Sequence, residues 1–271
     1  MISPADPSQL PPQSLPLACE AGAREAVTAV LARRTMLLPD IDWVTIPGGE
    51  FVYQEGWRRR LPAFRIARHP VTNSQYQTFI DAGGYRDERW WTDLQRPEPE
   101  ASRWPQANRP RTNVDWYEAV AFCRWLSEMF AYEVRLPTEE EWERAARGVD
   151  GREYPWGNGY ESGRANIDET PSWARVGEWY LQQTTAVGVY PHGASSEGVL
   201  DLSGNVWQWC SNKYERPEQT QADTSGQARV LRGGSWNGSA GNARGAQRDG
   251  LSPVGRVVNG GFRVVSSAPI S

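Results

Sequence analysis

Three stretches of the chain place apolar residues at helical spacing directly after a capping sequence. In each stretch a side-chain oxygen of the capping residue can accept a hydrogen bond from the backbone N–H three residues further on. The acid or amide side chain at that position can in turn accept the backbone N–H of the capping residue. The three pairs are Thr72 with Gln75, Asp115 with Glu118, and Thr138 with Glu141. Gly83 and Gly148 follow the first and third stretches, and glycine is the residue that most readily ends a helix. The pattern therefore predicts three amphipathic helices.

Short runs of β-branched and aromatic residues predict strands on both sides of these helices. Trp43–Ile46 and Glu50–Tyr53 flank Pro47-Gly48-Gly49, a sequence typical of strand, turn and strand. A further strand is expected over residues 63–67. Later in the chain the apolar runs are Trp207–Cys210, Val230–Arg232 and Phe262–Val265. Because glycine, proline and asparagine separate these runs after Gly151, we expect a loop-rich second half.

The same pattern divides the chain into segments. Residues 1–18 are rich in proline, serine and glutamine and have no apolar period, which predicts a flexible leader. Apolar residues recur at roughly helical spacing between Ala23 and Leu31, so residues 19–40 are expected to form an N-terminal helical extension. We expect one large domain over residues 41–266 and a short tail over residues 267–271.

Composition limits the classes of function. With 271 residues, of which 39% are hydrophobic, the chain can bury a sizeable core. The net charge is −4 and Lys213 is the only lysine, so positive charge is carried by arginine, which favours planar, bidentate pairing. No basic face interleaved with aromatic residues is found, and we expect no binding of nucleic acid.

Cysteine usage and hydropathy bear on the compartment. Cys19, Cys123 and Cys210 form no CxxC pair and are widely spaced, which argues against a thiolate metal site or a disulfide framework and favours a reducing environment. No apolar run approaches the roughly eighteen residues that span a membrane. No secretory signal precedes Cys19. We therefore expect a cytoplasmic protein without a membrane span, and export by a signal-independent route stays open.

Seven motifs in order along the chain are shared with one known family. They are Ile46–Phe51, Pro70–Asn73, Val114–Ala119, Arg135–Glu143, Tyr154–Gly157, Gly204–Trp209 and Arg232–Trp236. Together they closely resemble the formylglycine-generating-enzyme (sulfatase-modifying factor) family, from about Trp43 to Val265. The resemblance implies an α+β fold, the family's variant of the C-type lectin fold, with short mixed sheets, flanking helices and long ordered loops.

The resemblance also bears on catalysis. The family's oxidases carry two cysteines after the RGGS motif, which bind copper and activate oxygen, and the matching positions here are Gly238 and Ala243. Without thiolates the soft ligands that Cu(I) requires are missing. A related branch uses iron held by histidines of an added helical domain, whereas this chain has only His69 and His192. We therefore expect no enzyme, and an enzyme of this fold with unrecognised chemistry is the alternative.

The segment Asn237–Gly260 resembles the variable region of proteins diversified by retroelements, in which asparagine codons of a template are copied with mutation at adenines. Residues expected to stay fixed as the scaffold of the site are Trp236, Arg244, Arg248, Arg256 and Phe262. Residues expected to be exchanged are Asn237, Gly238, Ser239, Gly241, Asp249, Gly250, Leu251, Ser252, Val254, Gly255, Val257, Val258 and Asn259. All of the latter can arise from AAC or GAC codons through changes at adenines.

The leading hypothesis is a ligand-binding variable protein of a diversity-generating retroelement, bacterial or phage-borne. Its partner would be a protein or other macromolecular ligand, contacted by loop positions that can vary without disturbing the core. A regulatory binding module that never diversifies is a further alternative. The segment is small and apolar and lacks the aromatic and arginine anchors that are usual at energetic hot spots.

The family often binds calcium, and the resemblance places that site at Asn166, Ile167, Asp201, Gly204, Val206 and Gln208. Gln208 stands where the family usually has glutamate, and calcium accepts amide and backbone oxygens as well as carboxylates. If calcium is bound, we expect it to have a structural role and not a catalytic one. We expect no required cofactor.

Other polar groups receive structural interpretations. The acidic run Glu139–Glu143 fits the first turn of a helix, where the helix dipole favours negative charge. We expect His69 and His192 to be structural or solvated. The many tryptophans lie in motifs typical of a core, and the fold alone does not predict sugar binding.

Overall fold

The computed structural model describes residues 38–267. The predicted leader, the predicted helix of the N-terminal extension, Cys19 and all but the first residue of the predicted tail lie outside the described residues. Within residues 38–267, three α-helices and nine short strands are joined by long loops, an α+β architecture. No helix in this range combines the length and apolarity needed to cross a membrane.

The elements follow one another in a simple order. The strands are β1 (Trp43–Ile46), β2 (Gly49–Tyr53), β3 (Trp57–Leu61), β4 (Phe64–Ala67), β5 (Trp207–Lys213), β6 (Arg229–Arg232), β7 (Arg248–Leu251), β8 (Gly260–Phe262) and β9 (Val265–Ser266). The helices are α1 (Asn73–Asp81), α2 (Trp116–Phe130) and α3 (Glu139–Arg147). Two 3-10 helices cover Glu88–Trp91 and Pro191–Gly193.

The described strands form three small sheets. One has the order β1-β4-β9 and is antiparallel, and β2 and β3 form a separate antiparallel hairpin. The third sheet has the order β7-β6-β5-β8, and β5 and β8 run parallel to each other in it. Strands β7 and β8 are therefore the two edges of this sheet.

All three predicted capping boxes are present. At the start of α1, α2 and α3 the N-cap oxygen accepts the N–H three residues on, and the acid or amide there accepts the N-cap N–H. Gly148 caps α3 at a φ of 64°, as the sequence predicts. Helix α2 ends instead at Ala131, which adopts a left-handed φ of 57° without glycine.

The turn predicted at Pro47-Gly48-Gly49 does not form a hairpin between the strands that flank it. Strand β1 pairs with β4, and β2 pairs with β3, so the segment joins two different sheets. Gly48 is needed because a Cβ at this position would lie 2.7 Å from the backbone nitrogen of Ala63. The sequence does not predict strand β3, because WRRRL shows no alternation of apolar and polar residues. In the structure this strand is largely exposed.

The core contains fully buried aromatic residues from all parts of the chain. Tyr76, Phe79, Phe122 and Phe262 contact one another through their rings, at centroid distances between 5.5 and 6.1 Å for four of these pairs. A second cluster surrounds Trp142 of α3 and includes residues of β1, β4, β5 and β6. The helices are thus fixed on the sheets by aromatic packing.

One buried arginine joins four segments of the chain. Arg263 has no exposed surface, and its guanidinium donates to the side chain of Gln208 and to the carbonyls of Ala67, Leu200 and Asp201. Burial lowers its pKa to about 9. Because five fixed N–H donors can be satisfied at once, arginine is suited to such a position.

We expect the variant Gln208→Leu to lose about 3 kcal/mol of unfolding free energy, because Arg263 is left as a buried cation with an unsatisfied donor. The Nε1–H of Trp142 would lose its acceptor as well. Chemical denaturation monitored by circular dichroism measures this loss. Gln247→Leu is the matched control, since Gln247 is exposed and should change stability little; equal effects of both substitutions would contradict the role given to Gln208.

Candidate functional site

The positions expected to be exchanged lie mainly at the surface. Twelve of the thirteen are at least partly exposed, and Ser239 is buried. The structure brings some of them together: Asn259 Nδ2 donates to Asn237 Oδ1 at 2.8 Å. A Cβ at Gly255 would lie 2.7 Å from Leu251 Cγ. Other positions are spread out, because β7 lies at the opposite edge of its sheet from β8.

Arg248 fixes the strand that carries the middle positions. It begins β7, and its guanidinium contacts both carboxylate oxygens of Glu139, at 2.5 and 3.0 Å, and the carbonyl of Tyr214. Glu139 lies in the first turn of α3 and is 1% exposed. A bidentate pair with a buried carboxylate is geometrically specific, so β7 is held against α3.

Arg256 fixes the loop before β8 in a similar way. Its guanidinium lies 2.9 Å from Glu118, 3.0 Å from Glu100 and 3.9 Å from Asp115. Glu118 and Asp115 are the two partners of the capping box of α2 and are almost fully buried. The helix N-terminus and the loop therefore share one group of charges.

Burial dominates the electrostatics of this group. It raises the pKa of Asp115 to about 7, with a further contribution from the neighbouring carboxylate of Glu118. Burial also raises the pKa of Glu118, which accepts hydrogen bonds from Tyr85 and Arg256. The carboxyl group of Asp115, beside the loop that Arg256 holds, therefore gains or loses its proton near neutral pH.

The remaining expected scaffold residues differ in their burial. Phe262 is fully buried, and Trp236 is 8% exposed and stacks on Tyr180. Arg244 is exposed, and its partner Glu153, 3.3 Å away, is partly exposed. Exposed pairs of this kind contribute little to stability.

An aromatic loop that sequence reasoning missed borders the first positions. Trp173 and Trp179 are 77% and 62% exposed, and the loop that carries them begins where Asp168 N donates to Gly238 O at 2.9 Å. The buried carboxylate of Glu169 holds the loop through Tyr160 and Ser162. Exposed tryptophans, which residues 237–260 lack, are thus present in a loop that is hydrogen-bonded to this segment.

The two positions that hold cysteines in the family's oxidases differ in access. Ala243 is fully buried in a cluster with Tyr154, Ile167 and Ala240, and Gly238 is partly exposed. Among the described residues the free cysteines are Cys123 and Cys210, both buried. Burial raises the pKa of each thiol, so neither provides a thiolate at neutral pH.

Two of the residues expected to hold calcium, Gln208 and Asp201, are already hydrogen-bonded to other groups of the chain. Gln208 Oε1 accepts hydrogen bonds from Trp142 and Arg263, and its Nε2 donates to the carbonyl of Asp201. The guanidinium of Arg263 donates to the same carbonyl. The side-chain oxygen of Asn166 is buried without a partner, but calcium needs six to eight oxygens. The donor set in this arrangement does not fit calcium, and no function is derived through it.

The expected roles of the acids and histidines follow from their contacts. Glu139, Glu141 and Glu143 each pair with an arginine, consistent with a structural acidic run. His69 lies 3.6 Å from Asp201, and His192 lies in a 3-10 helix. Among residues 38–267 no group of three or more histidine, cysteine or acidic side chains is placed to hold a metal.

The sequence profile of the sulfatase-modifying factor enzyme 1-like domain matches residues 29–268. Hercynine oxygenase of Mycolicibacterium thermoresistibile is 34% identical over 75% of this chain and 51% of its own length. The inactive C-alpha-formylglycine-generating enzyme 2 of Bos taurus is 30% identical over 84% of this chain and 89% of its own. The formylglycine-generating enzyme of Streptomyces coelicolor is 28% identical, with coverages of 84% and 90%. The chain spans about half the length of the hercynine oxygenases that it matches.

Two solved structures share the fold. Treponema denticola variable protein 1 superposes with a TM-score of 0.63 at 22% identity, over 86% of this chain and 98% of that one. PvdO from Pseudomonas aeruginosa gives a TM-score of 0.65 at 23% identity, with coverages of 83% and 93%. The predicted fold class is confirmed.

One expectation is wrong. The sequence led us to expect that the chain is not an enzyme, because the copper cysteines are replaced. The hercynine oxygenases, about a third identical to this chain, and the formylglycine-generating enzyme of Streptomyces coelicolor are enzymes by name. The replacement of the two copper-binding cysteines argues only against copper-dependent oxidation. It does not exclude other enzymatic reactions.

We expect Arg248→Ala to destabilise the protein by about 3 kcal/mol, because Glu139 is left as a buried carboxylate without its bidentate partner. Arg244→Ala is the matched control from the same segment, and its loss should stay below about 1 kcal/mol because both partners are exposed. Urea denaturation of the two variants gives the comparison. Similar losses would show that burial of Glu139 does not decide the role of Arg248.

The shifted pKa of Asp115 predicts a dependence of stability on pH. A carboxyl whose pKa is higher in the folded chain stabilises fully below its unfolded pKa, and this contribution is lost as the pH rises through the folded value. The free energy of unfolding should therefore fall between about pH 4 and pH 7. Asp115→Asn keeps the capping oxygen and should reduce the slope, measured by denaturation across this range. Asp249→Asn, an exposed control, should leave the slope as in the original chain.

Proposed function

Since the chain belongs to the sulfatase-modifying factor enzyme 1-like domain family, we propose that it uses this C-type lectin fold to bind a macromolecular ligand through the segment Asn237–Gly260. We further propose that a diversity-generating retroelement exchanges residues of this segment. The observation that carries the proposal is a difference in burial. Twelve of the thirteen positions expected to be exchanged are at least partly exposed, whereas Arg248 and Arg256 pair with buried carboxylates and Phe262, just after the segment, is fully buried.

The anchoring explains how such a segment could tolerate exchange. Arg248 and Arg256 reach carboxylates in the first turns of α3 and α2, which are set by capping boxes and aromatic packing elsewhere in the chain. A side chain changed at Ser252 or Val254, both exposed, alters neither contact. Contacts with a ligand could therefore change while the fold is retained.

The exposed aromatic loop supports a macromolecular ligand. Trp173 and Trp179 are exposed in the loop whose Asp168 N–H donates to the carbonyl of Gly238, and tryptophan is enriched at the energetic centres of protein interfaces. Tyr180, in the same loop, stacks on Trp236 and connects the loop to the segment. We propose that the loop supplies constant binding energy and that the exchanged residues supply specificity.

The name of Treponema denticola variable protein 1 agrees with the proposed diversification, although the likeness at 22% identity is one of fold. The gene provides the direct test. We expect a nearby, near-identical repeat of the segment that differs mainly at adenines, together with a reverse transcriptase gene. A gene without both would sink the proposal of diversification.

A second candidate function is an enzyme of this fold, which is favoured by the identity of 34% to hercynine oxygenase. Because Gly238 and Ala243 offer no thiols, its chemistry would use other residues than those of the family's copper oxidases. Incubation with copper and a sulfatase-type cysteine peptide tests the nearest reaction. Formation of an aldehyde would support this candidate, and an unchanged peptide would remove that reaction from it.

We expect the triple variant Asn237→Asp, Ser252→Tyr and Val254→Asn to keep the melting temperature within about 2 °C, because all three side chains are exposed and aspartate keeps the oxygen that accepts from Ser235 and Asn259. Phe262→Ala is the control in the same region and should cost about 3 to 5 kcal/mol through the cavity it leaves. Thermal unfolding followed by circular dichroism compares the two. A large loss in the triple variant would contradict the division between exchangeable and anchored positions.

A further inference from the structure

A cavity of about 720 Å³ lies between the β2–β3 hairpin, the first turn of α3 and the loop after β5. We refer to it as the hairpin cavity. Its lining includes Tyr53, Trp57, Arg59, Glu140, Glu218 and Arg248. Among the lining residues, Arg248 belongs to the segment Asn237–Gly260.

The hairpin cavity already holds a guanidinium group beside two neighbouring aromatic rings. The Cζ atom of Arg59 lies 5.8 Å from the ring centroid of Tyr53 and 5.6 Å from that of Trp57. Its Nε lies 3.1 Å from a carboxylate oxygen of Glu140. Trp57 remains 60% exposed, so much of its surface is free to contact another group. Aromatic faces and a carboxylate together are a favourable environment for a guanidinium.

The charge of the lining favours a cation. Five glutamates and two arginines line the hairpin cavity. Glu139 and Glu140 pair with Arg248 and Arg59, and Glu141 pairs with an arginine outside the lining. Glu55 and Glu218 are exposed and form no ion pair within residues 38–267. Two carboxylates at the rim are therefore available to an incoming positive charge.

The hydroxyl of Tyr53 adds a hydrogen-bonding group to the lining of the cavity. Tyr53 is 6% exposed, and its hydroxyl has no hydrogen-bond partner within the described part of the chain. Burial raises the pKa of this hydroxyl, and the nearby Glu139 and Glu143 carboxylates add to the effect, so it stays neutral. The neutral oxygen of Tyr53 is able to accept an N–H from a ligand.

We propose that the hairpin cavity is a binding site for a guanidinium group supplied by a ligand. The guanidinium would lie against Trp57 and Tyr53, where Arg59 now lies, with Glu140 and the rim carboxylates Glu55 and Glu218 as its counter-charges. Arg59 is then an internal competitor, whose displacement reduces the apparent affinity. The group comes either from a small molecule or from an arginine side chain of a peptide, and both present the same chemistry.

The test is a titration with Nα-acetyl-arginine amide, which carries one positive charge, measured by calorimetry and by tryptophan fluorescence. Nα-acetyl-citrulline amide is the matched neutral probe. We expect saturable binding of the arginine probe alone, strengthened about tenfold in Arg59→Ala because the internal competitor is removed. Arg60→Ala removes the same charge from the same strand outside the cavity lining and should not strengthen binding. A role of Arg59 in stability alone would not raise affinity.

Substitutions at the rim complete the test. Glu55→Gln and Glu218→Gln should each weaken binding about threefold, as expected for an exposed ion pair. A glycine-flanked arginine peptide binding better than the amide would indicate a peptide source, and equal binding a small molecule. The proposal is overturned if folded Arg59→Ala protein, verified by circular dichroism, binds the arginine probe no better than the citrulline probe. Tighter binding to the unaltered chain than to Arg59→Ala would overturn it equally.

Discussion

The buried carboxylates of α3 are the constraint on which the structure of the C-terminal half depends. Arg232 of β6 lies 2.5 Å from Glu143 and 3.6 Å from Glu139, and neither the arginine nor the acids are exposed beyond 1%. Arg147 of the same helix also pairs with Glu143. Since an unpaired buried charge costs several kcal/mol, all of these groups must be in place together. The helix therefore determines where β6, and through Arg248 also β7, can lie.

Local signals in the sequence predict the elements that begin near their own caps, and they fail where a partner lies far along the chain. The boxes at Thr72, Asp115 and Thr138 involve residues three positions apart and are all present. Strand β7 has the sequence RDGL, which carries no strand pattern, and it exists because β6 and Glu139 fix it. A contact across more than a hundred residues leaves no trace in local periodicity.

The candidate site shows the same limit. Codon reasoning selects positions that are mostly exposed, but it includes Ser239, which is buried and hydrogen-bonded to Asn242. It also treats Arg244 like Arg248, although one ends at the surface and the other on a buried acid. Sequence shows which residue types can be exchanged, whereas the partners of each side chain decide what an exchange costs. The enzyme names among the relatives show, in addition, that losing one set of catalytic residues does not define a function.

The ion pair between Arg248 and Glu139 belongs to two parts of the molecule at once. Both residues line the hairpin cavity, and Arg248 is also the first residue of β7, beside Asp249 and Gly250. A molecule in the cavity that strengthens or weakens this ion pair therefore also changes the stability of β7. By thermodynamic linkage the relation is reciprocal, so a partner that orders β7 alters the affinity of the cavity by the same factor.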